Sequence, residues 1–134
     1  MDFTKLSVAS ASDEGVEMEI VHPITEQSFE PPTKVWVAGI DSDLYQKTSL
    51  SMQNKAMKKM VRRNQVRMNL SAEENRANNI ELISKMVLKW ENVEWEGVTL
   101  PCSFENVKMV MTKLPWFLEQ VQLFVEDRAN FLQD

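Results

Sequence analysis

Few residues in this sequence could carry out chemistry. The single histidine, His22, stands directly before Pro23, and the single cysteine, Cys102, stands between Pro101 and Ser103. Nucleophilic catalysis needs a Ser, Cys or Thr beside a base, usually histidine, that a third group holds in place. Cys102 precedes a predicted helix start, where a thiol pKa can be lowered, but no second motif supports a reactive role. We therefore expect His22 to be a turn residue and Cys102 to be a small packing residue.

The acidic residues and the glycines offer no better catalytic or cofactor site. The pairs Glu73-Glu74 and Glu126-Asp127 are adjacent in sequence, and adjacent side chains on a helix diverge instead of converging on one substrate. The three glycines are isolated, so there is no phosphate-binding loop. One cysteine and one histidine cannot complete a tetrahedral metal site. We expect no enzyme, no cofactor and no metal.

The elements that must position any functional residue fit one domain. The chain has 134 residues, of which 43% are hydrophobic, enough to build a core without disulfides. We expect a single domain over residues 1–134, with residues 1–15 as a flexible tail because they hold few apolar anchors. The start of the chain does not resemble a signal peptide, and no run of about 18 apolar residues occurs, so we expect no membrane contact.

Hydrophobic periodicity predicts a mainly α, α+β fold with about four helices and a small N-terminal β-hairpin. Residues 16–22 alternate apolar and acidic side chains, and residues 34–40 are rich in β-branched and aromatic ones, as in two paired strands. The proline-containing stretch 23–32 is predicted to be the loop between them. Residues 91–100 lack helical periodicity and are predicted to form a loop or a small hairpin around Trp95. The first of the four helices is predicted over 44–64, after the typical helix start Asp41-Ser42-Asp43. The others are predicted from Ser71 to about Trp90, from Ser103, and from Pro115.

Large apolar side chains concentrate between Trp90 and Leu132, which holds three of the four tryptophans and four of the six phenylalanines. Trp116 and Phe117 are adjacent, so on a helix they point in different directions. One of the two is therefore a candidate anchor for a protein partner, since buried aromatic side chains dominate binding energies. The predicted core residues are Trp90, Val107, Val110, Leu118, Val121 and Val125.

The strongest charge feature lies on the helix predicted over 44–64 and just beyond it, where seven of the fifteen basic residues occupy 21 positions. The helix dipole favours cations near a C-terminus and explains part of this pattern. The remaining interpretations are a solvated helix face, a nucleic-acid contact and a contact with an acidic protein, including Glu17 and Glu19 on a neighbouring copy. A net charge of −5 argues against nucleic acid. The predicted contact residues for an acidic protein are Lys55, Lys58, Lys59, Arg62 and Arg63.

Short motifs between Val21 and Leu132 occur in a recognisable order. They are VHPITEQ, then VWVAGIDSDLYQK at the start of the basic helix, then the long stretch from LSAEENRANNIELISKM through WENVEWEGVTLPCSFENVKMV to KLPWFLEQVQLF, and finally ANFL. With these motifs in this order, the sequence resembles the tail assembly chaperones of long-tailed bacteriophages, in their short, non-frameshifted form. It departs from them at Cys102 and Ser103, where a Phe-Thr-like pair is more typical.

The resemblance implies a non-enzymatic protein of the host cytoplasm that is absent from the finished virion. Such chaperones bind the tape measure protein, keep it from aggregating and help recruit tail tube protein subunits. A homo-oligomer is compatible with this role. Two other classes stay open at this point. One is a structural tail or head-to-tail joining protein that remains in the virion, and the other is a nucleic-acid adaptor that uses Lys58, Lys59, Arg62 and Arg63.

Overall fold

The structure, a computed structural model, describes residues 2–62 and 72–132. In these residues, five α-helices accompany a three-stranded antiparallel sheet and a two-stranded hairpin, which confirms the predicted α+β class. The helices are α1 (Ala9–Glu14), α2 (Asp43–Arg62), α3 (Ala72–Met86), α4 (Phe104–Lys113) and α5 (Pro115–Glu126). The strands are β1 (Val16–Val21), β2 (Ser28–Val37), β3 (Val87–Glu91), β4 (Glu94–Trp95) and β5 (Val98–Thr99).

The predicted N-terminal hairpin is confirmed, with β1 antiparallel to β2 and Met18 opposite Val35. The loop is shorter than the predicted stretch 23–32, because β2 already begins at Ser28. The register of the β1–β2 pairing shifts between Ile20 and Val21. Residues 29–32 of β2, including both prolines, therefore lie in an irregularity of the strand. Proline has no backbone N–H to donate, and a bulge is a position where a strand tolerates it.

The prediction that the second helix extends to about Trp90 is wrong. α3 stops at Met86, and β3 follows at once and pairs antiparallel with the other side of β2, so that Trp90 faces Val35. Without β3, the backbone N–H and C=O groups on that side of β2 would lack partners, and unpaired buried groups are costly. Trp90 is buried in the strand, as it was expected to be in the helix.

The expectation of a loose tail over residues 1–15 is corrected for its second half. Helix α1 packs against the fold, with Ala11 and Ser12 buried. The backbone N–H of Gly39 donates to the carbonyl oxygen of Ser12 (3.2 Å), and that of Asp43 donates to the Asp13 carboxylate (2.7 Å). These contacts join residues far apart in sequence, so composition alone did not reveal them.

The elements after β3 agree with the predictions made from the sequence. β4 and β5 form the small hairpin expected around Trp95, and its two turn residues, Glu96 and Gly97, both have positive φ, as type I′ turns require. Ser103 caps α4 by accepting a hydrogen bond from the backbone N–H of Asn106 (3.2 Å), and Pro115 opens α5. Both predicted helix starts are confirmed. The predicted capping residue Ser71 lies outside the described residues.

All six predicted core residues are buried and belong to one hydrophobic cluster between the sheet and α3, α4 and α5. The side chain of Trp90 is only 8% exposed. Its indole N–H donates to the carbonyl oxygen of Leu100 (2.9 Å), and its ring meets the Phe117 ring edge to face at 6.5 Å between centroids. That residues 1–134 form a single domain stays a prediction, because 63–71 are not described.

Candidate protein-binding surfaces

The start of α2 is held in place by several polar contacts. Ser42 is fully buried; its hydroxyl donates to the carbonyl oxygen of Gly39 (2.6 Å) and accepts from the backbone N–H of Tyr45 (3.0 Å). Short hydroxyl side chains favour this position because they satisfy a free amide of the first turn. Asp41 also accepts two hydrogen bonds from the Arg128 guanidinium (2.7 and 3.1 Å), which raises the pKa of Arg128. The basic helix is thus fixed at its N-terminus.

One face of α2 turns inward, as its periodicity predicts. Thr48 is buried, and Tyr45, Met52 and Ala56 are partly buried. Burial raises the pKa of the Tyr45 hydroxyl, and the Glu126 carboxylate adds to this effect. The inward stripe therefore leaves the opposite side of α2 to solvent.

The outward face of α2 combines lysines with apolar side chains. Leu50 is 59% exposed and Met57 is 54% exposed. Lys47 forms an ion pair with Asp43 one turn away (2.8 Å). Within residues 2–62 and 72–132, neither Lys55 nor Lys58 has an ion-pair partner. A shallow depression of about 390 Å³ is lined by Lys47, Leu50, Ser51, Asn54, Lys55 and Lys58.

The structure brings together only part of the predicted basic patch. Lys55 and Lys58 lie on the same exposed surface. The side chains of Lys59 and Arg62, and all of Arg63, lie outside the described residues. The sequence interpretation missed the apolar pair Leu50 and Met57, although their spacing of seven, opposite the inward stripe, was a usable signal.

The structure separates Trp116 from Phe117. Phe117 is only 3% exposed and packs against the rings of Trp90 and Trp116. The prediction that Phe117 could anchor a partner is corrected, because its position on α5 turns it toward the sheet. Trp116 is partly buried and lines the edge of a groove, so it is the member of the pair that a partner can reach.

This groove lies between the end of β1 and α5 and has a volume of about 630 Å³. Along α5, Trp116, Gln120 and Leu123 follow one another at spacings of four and three, and the Leu123 side chain is 64% exposed. Gln120 connects the two walls, since its amide accepts from the N–H of Val21 (3.0 Å) and donates to the C=O of Val21 (2.8 Å). The lining residues are Met18, Val21, His22, Pro23, Glu26, Trp116, Glu119, Gln120, Leu123, Phe124, Asp127 and Asn130.

The groove and the outward face of α2 differ in charge. The charged residues that line the groove are Glu26, Glu119 and Asp127, and no lysine or arginine is among its described lining residues. Those that line the depression on α2 are lysines. The protein therefore presents an acidic and a basic surface, each with exposed apolar side chains.

The contacts of His22 and Cys102, the two residues considered for catalysis, are those of a turn residue and of a partly buried thiol. The Nδ1 atom of His22 accepts from the backbone N–H groups of Ile24 (3.1 Å) and Thr25 (3.2 Å), as a turn residue would. Burial raises the pKa of the Cys102 thiol, although a hydrogen bond from the Trp90 backbone acts in the opposite direction. A raised pKa disfavours the thiolate, the reactive form of cysteine.

Two absences concern the described part of the chain only. Over residues 2–62 and 72–132, no group of three or more His, Cys, Asp or Glu side chains could hold a metal ion. In the same ranges, no helix combines the length and the apolar character that a membrane crossing requires.

Comparison with known proteins identifies a prophage family. The family model described as YdaY prophage protein matches residues 40–134, which is most of the chain and includes every helix from α2 onward. The searches of curated proteins and of solved structures give no match.

Proposed function

Because the chain belongs to the YdaY prophage protein family, we propose that it is a phage tail assembly chaperone. In this role it binds the tape measure protein, helps recruit tail tube subunits and acts in the host cytoplasm without catalysing a reaction. The phage-derived family and the motif order between Val21 and Leu132 support the proposal. The observation that carries it is the outward face of α2, where exposed apolar side chains stand among lysines.

The composition of this face suits a long helical partner. Leu50 and Met57 lie two turns apart, a spacing that matches an apolar stripe on another helix. Methionine has a flexible thioether side chain that adapts to varied surfaces. Lys55 and Lys58 have no ion-pair partner within the described residues, so they are available to acidic side chains beside such a stripe. Contacts of this kind keep an aggregation-prone chain soluble.

The decisive experiment is co-expression with the tape measure protein of the same prophage. We expect the wild-type chain to keep the tape measure protein in the soluble fraction. The variant Lys55→Glu/Lys58→Glu should shift it to the pellet, because like charges then oppose acidic side chains on the partner. Adding Lys59→Glu, Arg62→Glu and Arg63→Glu should complete the loss. The milder pair Lys55→Gln/Lys58→Gln removes the two positive charges without adding acidic side chains to the helix.

A matched control is Arg76→Glu/Lys113→Glu, which makes the same change in net charge at exposed positions of α3 and α4. It should leave the tape measure protein soluble. Urea unfolding of each variant checks that the fold is intact. If the α2 variants and the control behave alike, the α2 face is not the binding surface.

A second measurement separates the chaperone from a structural component of the virion. Mass spectrometry of purified virions should find few or no peptides of this chain. Abundant peptides would identify a retained tail or head-to-tail joining protein and contradict the chaperone role. Binding to random DNA with a steep salt dependence would instead support a nucleic-acid adaptor.

A further inference from the structure

The groove between β1 and α5 is a surface feature that the proposed function does not use. We propose that this groove binds an amphipathic helix from another protein whose apolar face is flanked by lysine or arginine. The inference goes beyond the tape-measure contact, which is assigned to α2, and each surface is tested by its own variants.

The groove has the apolar anchors that a bound helix requires. Trp116 and Leu123 lie seven residues apart on α5 and both line the groove. Val21 and Pro23 line its other wall, from the end of β1 and the turn that follows. A helix that lies in such a groove inserts side chains at positions i, i+3 or i+4, and i+7. Leu123 is 64% exposed, so a partner would remove a large apolar surface from water.

The charges of the groove select a basic partner. Its three carboxylates come from the β1–β2 turn (Glu26), the middle of α5 (Glu119) and the residue that directly follows α5 (Asp127). Within the described residues, the side chains of Glu26 and Glu119 have no hydrogen-bond or ion-pair partner, whereas Asp127 accepts one hydrogen bond from the N–H of Ala129 (3.0 Å). Complementary charges at the edge of an interface favour the correct partner and repel an acidic one.

The walls of the groove are already ordered in the free chain. The two hydrogen bonds between Gln120 and Val21 connect α5 to β1 across 99 positions of sequence. Phe124 is supported from behind by an edge-to-face contact with the Phe131 ring (5.9 Å between centroids). Ordered walls reduce the entropy lost on binding. The site therefore suits a helix that docks onto an existing surface.

The test uses the full chain and two labelled synthetic helices, followed by fluorescence anisotropy. Both peptides carry leucines at positions i, i+4 and i+7; one has lysines beside this stripe and the other has glutamates. We expect the lysine peptide to bind at least tenfold more tightly than the glutamate peptide, and its affinity to fall as salt rises. Equal affinity for both peptides, or no binding of the lysine peptide, would overturn the proposal.

Groove variants locate the binding site. Glu119→Lys and Leu123→Ser change exposed side chains, and each should weaken binding of the lysine peptide at least tenfold. The matched control Glu105→Lys changes an exposed residue of α4 outside the groove and should bind as the wild type does. Unchanged affinity in both groove variants would contradict the proposal. Glu26→Lys, in the turn after β1, serves as a further variant if urea unfolding shows that a change in α5 disturbs the fold.

Light scattering at the same protein concentrations identifies the competing occupant. We expect the peptide to bind without changing the oligomeric state of the protein. If the wild-type chain self-associates, excludes the peptide and dissociates in the groove variants, the occupant is a second copy and the proposal fails.

Discussion

At the residue scale, Trp90 shows that burial can be predicted even where secondary structure is not. The sequence interpretation placed it at the end of a helix, and the structure places it in β3. In both cases its indole ring faces the core, since burying a large aromatic side chain is favourable in a helix and in a strand alike. The hydrogen bond to Leu100 satisfies its one polar group.

The first prediction concerns this residue. We expect Trp90→Ala to lower the free energy of unfolding by about 3 to 5 kcal/mol, because the lost apolar contacts leave a cavity against Phe117. Urea denaturation followed by circular dichroism measures the change. Trp90→Phe keeps most of the buried ring but loses the hydrogen bond. It should therefore lower the free energy of unfolding less than Trp90→Ala does. A midpoint equal to that of the wild type for Trp90→Ala would refute the packing described for this residue.

Trp116 and Phe117 show the limit of sequence reasoning at this scale. Their adjacency correctly indicated that they point in different directions. Which of the two faces the core depends on the rotation of α5 about its axis. In the fold α5 contacts α4, α3 and β1, and the Phe117 ring packs on Trp90 of β3; all of these except α4 are distant in sequence.

At the element scale, the start of α2 depends on contacts that come from three parts of the chain. The residues Asp41-Ser42-Asp43 predicted a helix start, and the structure identifies Ser42 as the one that caps it. The sequence could not show that Asp13 from α1 and Arg128, two residues after the end of α5, also make contacts there. These partners lie 30 and 87 positions away from the residues they contact.

A prediction follows for this helix start. We expect Ser42→Ala to lower the free energy of unfolding by about 1 to 2 kcal/mol, since it leaves the N–H of Tyr45 without its cap and removes one of the two hydrogen bonds to the Gly39 carbonyl. Thermal unfolding measures the change. The control Ser51→Ala, at an exposed position inside the same helix, should be neutral or slightly stabilising because alanine favours helices. An equal loss in both variants would argue against the capping role of Ser42.

At the scale of the whole molecule, a net charge of −5 hides two surfaces of opposite sign. Lysines line the outward face of α2, whereas carboxylates line the groove of α5. A protein with this arrangement suits two partners of different chemistry, as a chaperone that holds one chain and recruits another would require. The overall charge alone argues only against nonspecific nucleic-acid binding.

This arrangement predicts that the two binding activities can be removed separately. Lys55→Glu/Lys58→Glu should reduce tape-measure solubility and leave the affinity for the lysine peptide within about twofold, because no residue lines both surfaces and sites without shared partners behave additively. Glu119→Lys should weaken binding of the lysine peptide and leave the tape measure protein soluble. Co-expression and anisotropy on the same four proteins (wild type, each variant and their combination) measure this. Loss of both activities in either variant alone would indicate one continuous surface or a disturbed fold.

Sequence by itself determined the α+β class, the first hairpin, the helix start at Asp41-Ser42-Asp43, the cap at Ser103, the helix start at Pro115 and six core residues. These features depend on local periodicity, capping chemistry and residue size, which neighbouring residues carry. Tertiary structure decided that residues 87–91 form a strand, that α1 packs onto the fold and that Phe117 is buried while Trp116 is accessible. It also created the acidic groove by bringing the end of β1 against α5. Each of these depends on contacts between distant parts of the chain, and a single sequence does not specify such contacts.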